Sequence, residues 1–285
     1  MKKFIQYTVS TTPHNNELIS GMLWQFDFAG ITEVDNLLNI FVDPENIISE
    51  NEIALVLEAA KNEGFITEYF IHTSIVEDKN WNEEYEKSVK VIEVSERLVI
   101  KPSFKEYNPK ENQIVITIDP KMSFGTGEHE TTKLILTILE KYISPGDFVL
   151  DVGSGTGILA IASVMLGAKK AIGIDNDEWC LLNGNENVKL NSLEEKVEIR
   201  LGEISQIEEK NFDLILANIN KHILLEVTPH IKSKIKKTGK LILSGLLESD
   251  ADEILSKYSL SQFEMIEKKQ FGDWIAIVFK VSNSH

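Results

Sequence analysis

Val149-Leu150-Asp151-Val152-Gly153-Ser154-Gly155-Thr156-Gly157-Ile158 runs an apolar strand pattern into three alternate glycines and then into a helix pattern, Ile158 to Leu166. Glycines so spaced let a backbone bend sharply and come close to a ligand. A dinucleotide fingerprint needs its third glycine where Ile158 stands, so the spacing disfavours a pyrophosphate. Asp151, two positions before the first glycine, suits a ligand with an amino group and a positive centre, as S-adenosylmethionine has. The next strand pattern, Ala171-Ile172-Gly173-Ile174-Asp175, ends in a carboxylate placed to accept from both ribose hydroxyls. Together the two strand ends predict a class I methyltransferase domain.

The elements that must position these residues follow from the apolar pattern. From Ile114 onward, apolar runs (Phe148 to Val152, Ala171 to Ile174, Val197 to Leu201, Leu214 to Ala217, Leu241 to Leu243) alternate with helix patterns. That is the grammar of a parallel sheet with helices on both faces. Asn218 falls at the C-terminal end of its strand, beside the switch region where such sheets bind ligands. Phe263 to Lys268 and Trp274 to Val281, around Gly272-Asp273, predict a terminal hairpin. Lys232, Lys234, Lys236, Lys237 and Lys240 read as a solvated helix end.

The first 75 residues differ in pattern and charge. Strand (Phe4 to Val9), helix (about Asn15 to Phe28), strands through Ile31 to Val42, helix (about Glu50 to Glu63) and strand (Phe65 to Ile75) predict a small α+β ferredoxin-like domain. It holds three basic and eleven acidic side chains, half of a total net charge of -16. That charge either serves solubility or attracts a basic protein partner. A linker, 76–110, carries a short helix pattern (Trp81 to Lys87) and two strand patterns, Val89 to Val94 and Leu98 to Lys101; the catalytic domain takes 111–285. With 29 basic against 45 acidic residues, no global positive field exists to gather phosphates, so stable nucleic-acid binding is not expected. The single cysteine, Cys180, permits no disulfide framework, and a reducing cytoplasmic setting fits. The carboxylates show no ligand-like grouping, so no metal is expected. No export signal or membrane span is read, and a monomer is expected.

Upstream stands Asp119-Pro120-Lys121-Met122-Ser123-Phe124-Gly125-Thr126-Gly127-Glu128-His129-Glu130-Thr131-Thr132, and downstream Leu216-Ala217-Asn218-Ile219. With the glycine turn and Gly173 to Asp175, this set resembles the ribosomal protein L11 methyltransferase family from about Asp78 to the C-terminus. Over the first 75 residues the likeness is one of layout and length. The resemblance implies a Rossmann-like domain with a mostly parallel seven-stranded sheet, S-adenosylmethionine as cofactor and ribosomal protein L11 as partner. It implies that Thr132, Gly153, Asp175 and Asn218 contact the cofactor, with Phe124, Gly125, Thr126 and Gly127 in a loop over it; Gly155 and Asp151 complete the pocket. Two departures stand out: Asn220-Lys221-His222 follow where the family continues Leu-Ala, and Glu130 replaces a common proline.

Methyl transfer from a sulfonium is an in-line displacement, so the acceptor nitrogen must arrive uncharged. A lysine is neutral in roughly one molecule in 2,500 at pH 7, an α-amine in roughly one in ten. An N-terminal amine is the easier target, and a lysine must be stripped of water or of a proton. Asn218 and the Ile219 carbonyl are the candidates for orienting the amine, with no single general base. His129, at a helix start, reads as structural, and His222 as facing solvent. A hinge at the linker would let one site reach several amines, so multiple methylation is expected. Two other readings remain open: a methyltransferase acting on RNA or a small amine, and a non-catalytic S-adenosylmethionine-binding assembly factor.

Overall fold

The computed structural model describes residues 3–23, 26, 28–34, 36–44, 46, 48–77, 89–119, 125 and 127–282. The chain forms two compact units, 1–87 and 88–285.

In the first unit, β1 (Lys3–Thr12), α1 (Asn16–Leu23), β2 (Gly30–Val34), β3 (Leu37–Val42), α2 (Glu50–Asn62) and β4 (Glu68–Glu77) follow one another. The sheet order is β2-β3-β1-β4 with every pair antiparallel, the split βαβ arrangement of ferredoxin-like domains. Alternation along β1 buries Tyr7, Val9 and Thr11 and leaves Gln6, Thr8 and Ser10 half-buried. Helix α2 opens on a reciprocal cap: Ser49 accepts from the Glu52 amide, and the Glu52 carboxylate accepts from the Ser49 amide at 2.7 Å. Its Ile53, Val56, Leu57 and Ala60 form the buried stripe, while Glu50, Glu58 and Glu63 stay exposed. Helix α1 ends earlier than its pattern suggests. The Phe26 amide closes a turn on the Leu23 carbonyl, so Phe26 and Phe28 pack on the core from a loop.

The second unit is built on a seven-stranded sheet of β8 (Phe148–Val152), β9 (Lys170–Asp175), β10 (Val197–Leu201), β11 (Phe212–Asn218), β12 (Ile235–Leu247), β13 (Phe263–Phe271) and β14 (Trp274–Val281). Its order is β10-β9-β8-β11-β12-β14-β13; only β14 runs against its neighbours. Helices α3 (Glu130–Tyr142), α4 (Ile158–Met165) and α5 (Glu178–Leu190) pack on one face, and α6 (Lys221–Lys234) and α7 (Ala251–Leu260) on the other. A small sheet, β5 (Ile92–Glu93), β6 (Leu98–Lys101) and β7 (Ile114–Thr117), joins the α3–α4 side through Leu98, Ile100 and Ile116. The predicted strand Val89 to Val94 is therefore only two residues long, because β6 offers it just two partners. The predicted helix Trp81 to Lys87 lies outside the described residues. Among the described residues, no helix is long and apolar enough to cross a membrane.

The lysine cluster is not a solvated helix end. Lys232 and Lys234 close α6, but Lys236, Lys237 and Lys240 lie on β12. Lys234 is buried and donates to the Ile207 carbonyl, and Lys236 pairs with Asp213. The chain passes from helix to strand at Ile235 and so scatters charges that are adjacent in sequence.

Candidate functional site

All the polar groups singled out on the strands lie at the carboxyl ends of parallel strands. Register pairs Val152 with Ile174 and with Ala217, and Asn218 with Ser244, so Asp151, Asp175 and Asn218 share one end of the sheet. Between β8 and β11 the strand order reverses direction, and a crevice opens at such a point in doubly wound sheets.

The glycine turn is tied to its neighbours by its own backbone. Gly153 and Ser154 donate to the Ile174 carbonyl at 2.9 and 3.1 Å, and Gly157 donates to Ser154 at 2.8 Å. Gly153, Gly155 and Gly157 all have positive φ (74°, 51° and 78°), a conformation that glycine alone adopts without strain. A Cβ on Gly153 would also stand 2.2 Å from Ile219 Cγ2, so this position is closed to any side chain. Gly157 is the N-cap of α4, every residue of which from Ile158 to Val164 is buried.

Asp175 holds the turn from the other side: one carboxylate oxygen accepts from the Gly155 amide at 2.8 Å, the other from Asp177 at 3.1 Å. Each oxygen keeps a free lone pair for a hydroxyl. Capping of α5 falls to Asp177, which accepts from the Trp179 amide at 2.8 Å. Asp151 is fully buried, and neither of its carboxylate oxygens has a hydrogen-bond partner. Burial pushes its pKa well above the usual carboxylate range; the Ala160 amide partly opposes this, and the Asp175 charge adds to it.

Asn218 donates to Thr132 Oγ1 at 3.5 Å, a long contact, while its own Oδ1 is buried without a partner. Thr131 and Thr132 are both buried in the first turn of α3. His129 caps that helix, its Nδ1 accepting from the Thr131 amide at 3.2 Å, with its ring edge-on to Trp274 at 5.0 Å. The Ile219 backbone lies against Gly245 at the end of β12, where a Cβ would come within 2.6 Å of the Ile219 oxygen. Gly125 is buried and accepts from Thr156 Oγ1 at 2.7 Å. Phe124 and Thr126 lie outside the described residues. Exposed His222 and half-buried Lys221 open α6, and Lys221 pairs with Asp250 at 3.0 Å and Glu253 at 3.1 Å at the start of α7.

The structure thus gathers Asp151, Gly153, Gly155, Asp175, Asn218, Ile219 and Thr132 at one end of the sheet. It adds residues the motifs do not flag: Ser244 and Gly245, and an asparagine row on α5. The i, i+4, i+8 spacing of Asn183, Asn187 and Asn191 is the signal that could have revealed that row. Unpartnered oxygens on Asp151, Ser154 and Asn218 surround the glycine turn. Such groups are costly without a ligand. A molecule with an ammonium group and ribose hydroxyls supplies the donors they lack, so the residues present fit S-adenosylmethionine.

A family model described as ribosomal protein L11 methyltransferase matches residues 3–282 of this chain. The ribosomal protein L11 methyltransferase of Alkaliphilus oremlandii is 32% identical, the alignment covering 99% of this chain and 100% of that protein. The protein of the same name from Acetivibrio thermocellus is 30% identical over 99% of each chain. Among solved structures, a ribosomal protein L11 methylase from Lactobacillus delbrueckii subsp. bulgaricus matches with a TM-score of 0.65 and 31% identity, covering 68% of this chain and 100% of its own.

Proposed function

Since this chain belongs to the ribosomal protein L11 methyltransferase family, we propose that it transfers methyl groups from S-adenosylmethionine to amino groups of ribosomal protein L11. The observation that carries the site assignment is the ring of unpartnered buried oxygens about the glycine turn, which lacks hydrogen-bond donors and positive charge. When bound, S-adenosylmethionine supplies an activated methyl group on a positively charged sulfur.

In this reading Asp151 receives the ammonium group, whose charge restores the ionised form that burial disfavours. Asp175 spends its free lone pairs on ribose hydroxyls, as one carboxylate can serve several donors. Gly153 and Gly155 let the backbone approach, and Thr132 and Asn218 close the pocket on the β11 side. The Asn218 Oδ1, buried and unpartnered, is the group that accepts a hydrogen from an arriving neutral amine and aims its lone pair. The Ile219 carbonyl assists from the adjacent residue. Exclusion of water favours the neutral amine over the ammonium, so the site works by positioning and desolvation. His129 does not serve as the base, because capping α3 occupies its Nδ1. The first unit, with eleven acidic against three basic side chains in its first 75 residues, recognises the protein substrate by charge.

The deciding experiment incubates the purified chain with S-adenosylmethionine and unmodified ribosomal protein L11, then weighs the product. Mass gains in whole methyl steps on lysine or N-terminal amines support the reading. Transfer of radiolabel to RNA or small amines but not to this protein rejects the substrate, and donor binding without any transfer rejects the enzyme.

A further inference from the structure

Helix α5 and its C-cap carry Asn183, Asn187 and Asn191 at four-residue spacing, which places them on one face. All three reach backbone outside the helix. Asn191 accepts from the Thr117 amide at 2.9 Å and donates to the Thr117 carbonyl at 2.7 Å, standing in for a neighbouring strand at the end of β7. Asn187, fully buried, accepts from the Asp119 amide at 2.9 Å and donates to the Thr156 carbonyl at 3.0 Å. Asn183 donates to the Asp119 carbonyl at 2.9 Å. Thr156, also fully buried, sends its hydroxyl to the Gly125 carbonyl at 2.7 Å.

Asp119 and Gly125 are therefore both fastened to Thr156, the middle residue between Gly155 and Gly157. The fastening is demanding chemically. Only a carboxamide accepts from one backbone amide while donating to a carbonyl elsewhere; a carboxylate has no donor, and an alkyl group has neither. It is demanding sterically too, since a Cβ on Gly125 would lie 2.8 Å from Thr156 Oγ1.

We propose that Asn187 and Thr156 are positioning residues of the donor site: they lock the glycine turn to the chain at Asp119 and Gly125 and so set where the turn meets the donor. Neither touches a reacting atom. Loss of the Asn187 amide strands one buried N–H and one buried C=O and leaves the turn free to settle elsewhere. The turn's Gly155 amide, shared with Asp175, then shifts relative to the ribose site. This inference rests on the donor site proposed above.

The test measures three quantities on the full chain: the calorimetric Kd for S-adenosylmethionine, the ligand-free thermal midpoint, and kcat at saturating donor. The variants are Asn187→Ala, Thr156→Val and the control Ser163→Ala. Ser163 is equally buried, but its hydroxyl is spent on Leu159 within α4 at 2.7 Å. Asn187→Ala and Thr156→Val should weaken donor binding by about tenfold or more, with kcat at saturation held within about twofold. Ser163→Ala should lower the midpoint and leave Kd unchanged. If Asn187→Ala does not fold, Thr156→Val, nearly isosteric, decides alone. A folded Thr156→Val that binds the donor within about twofold of the parent chain overturns the proposal, as does an equal loss of affinity in Ser163→Ala. Failure of the unmodified chain to bind the donor overturns the donor site itself and this inference with it.

Discussion

At the residue scale, Asp151 sets function against stability. Its folded-state pKa lies above the unfolded value, so between the two the folded protein holds the extra proton. Ligand-free stability therefore falls as pH rises out of the ordinary carboxylate range. Asp151→Asn removes the buried charge. The ligand-free variant should melt higher than the parent at neutral pH, with the gap closing on acidification, and should bind S-adenosylmethionine more weakly. Thermal scans across pH with calorimetry check this; a variant that melts lower at neutral pH, or binds as tightly, contradicts it. Asn218 belongs to the reaction rather than to folding, since its Oδ1 satisfies nothing inside the protein. Asn218→Ala should lower kcat by about a hundredfold with the donor saturating, comparable to losing one preorganised hydrogen-bonding group elsewhere. Unaltered turnover in a rapid-mix assay would remove Asn218 from the acceptor site.

At the scale of elements, the departure at Asn220-Lys221-His222 finds its explanation in the contact between α6 and α7. Lys221 is turned toward Asp250 and Glu253, which raise its pKa, and thereby toward the first turn of α7. Its side chain is 38% exposed, so the pairing contributes little. Lys221→Ala should cost under about 1 kcal/mol in denaturant unfolding and leave kcat within about twofold. A tenfold or larger fall in kcat would mean that the lysine reaches the acceptor. The lysine cluster and the strand at Val89 to Val94 show where local pattern misleads. Lys234 is apolar-face material by position, with its ammonium group turned onto the Ile207 carbonyl, and β5 is cut short by the two residues available on β6. Both outcomes depend on a partner distant in the chain, and periodicity carries no record of it.

At the scale of the whole molecule, charge and chemistry are divided between two compact units. The donor groups all belong to residues 88–285, and the excess of acid belongs to the first unit. Residues 88–285 produced alone should bind S-adenosylmethionine within about twofold of the full chain and lose most of their kcat/KM for ribosomal protein L11. In the full chain, raising the salt from 0.05 to about 0.5 M should raise KM for the protein substrate and leave KM for the donor nearly unchanged. If neither constant moves, the acidic unit does not recruit by charge.

What the chain's own order determined is whatever depends on near neighbours. Glycines spaced two apart force a turn at Gly153 to Gly157, an aspartate ends β9, and an asparagine ends β11. Alternating apolar runs and helix patterns require a parallel sheet with covered faces. These features are local, and composition and spacing encode them. Only the tertiary structure decided that β14 slips between β12 and β13, that the Ile219 side chain fills the place of any Cβ on Gly153, and that Asn187 joins Asp119 to Thr156. Each is a contact between residues far apart in sequence, selected by which buried amides, carbonyls and methyl groups find partners once the sheet has closed, and no short stretch of sequence holds both halves of such a contact.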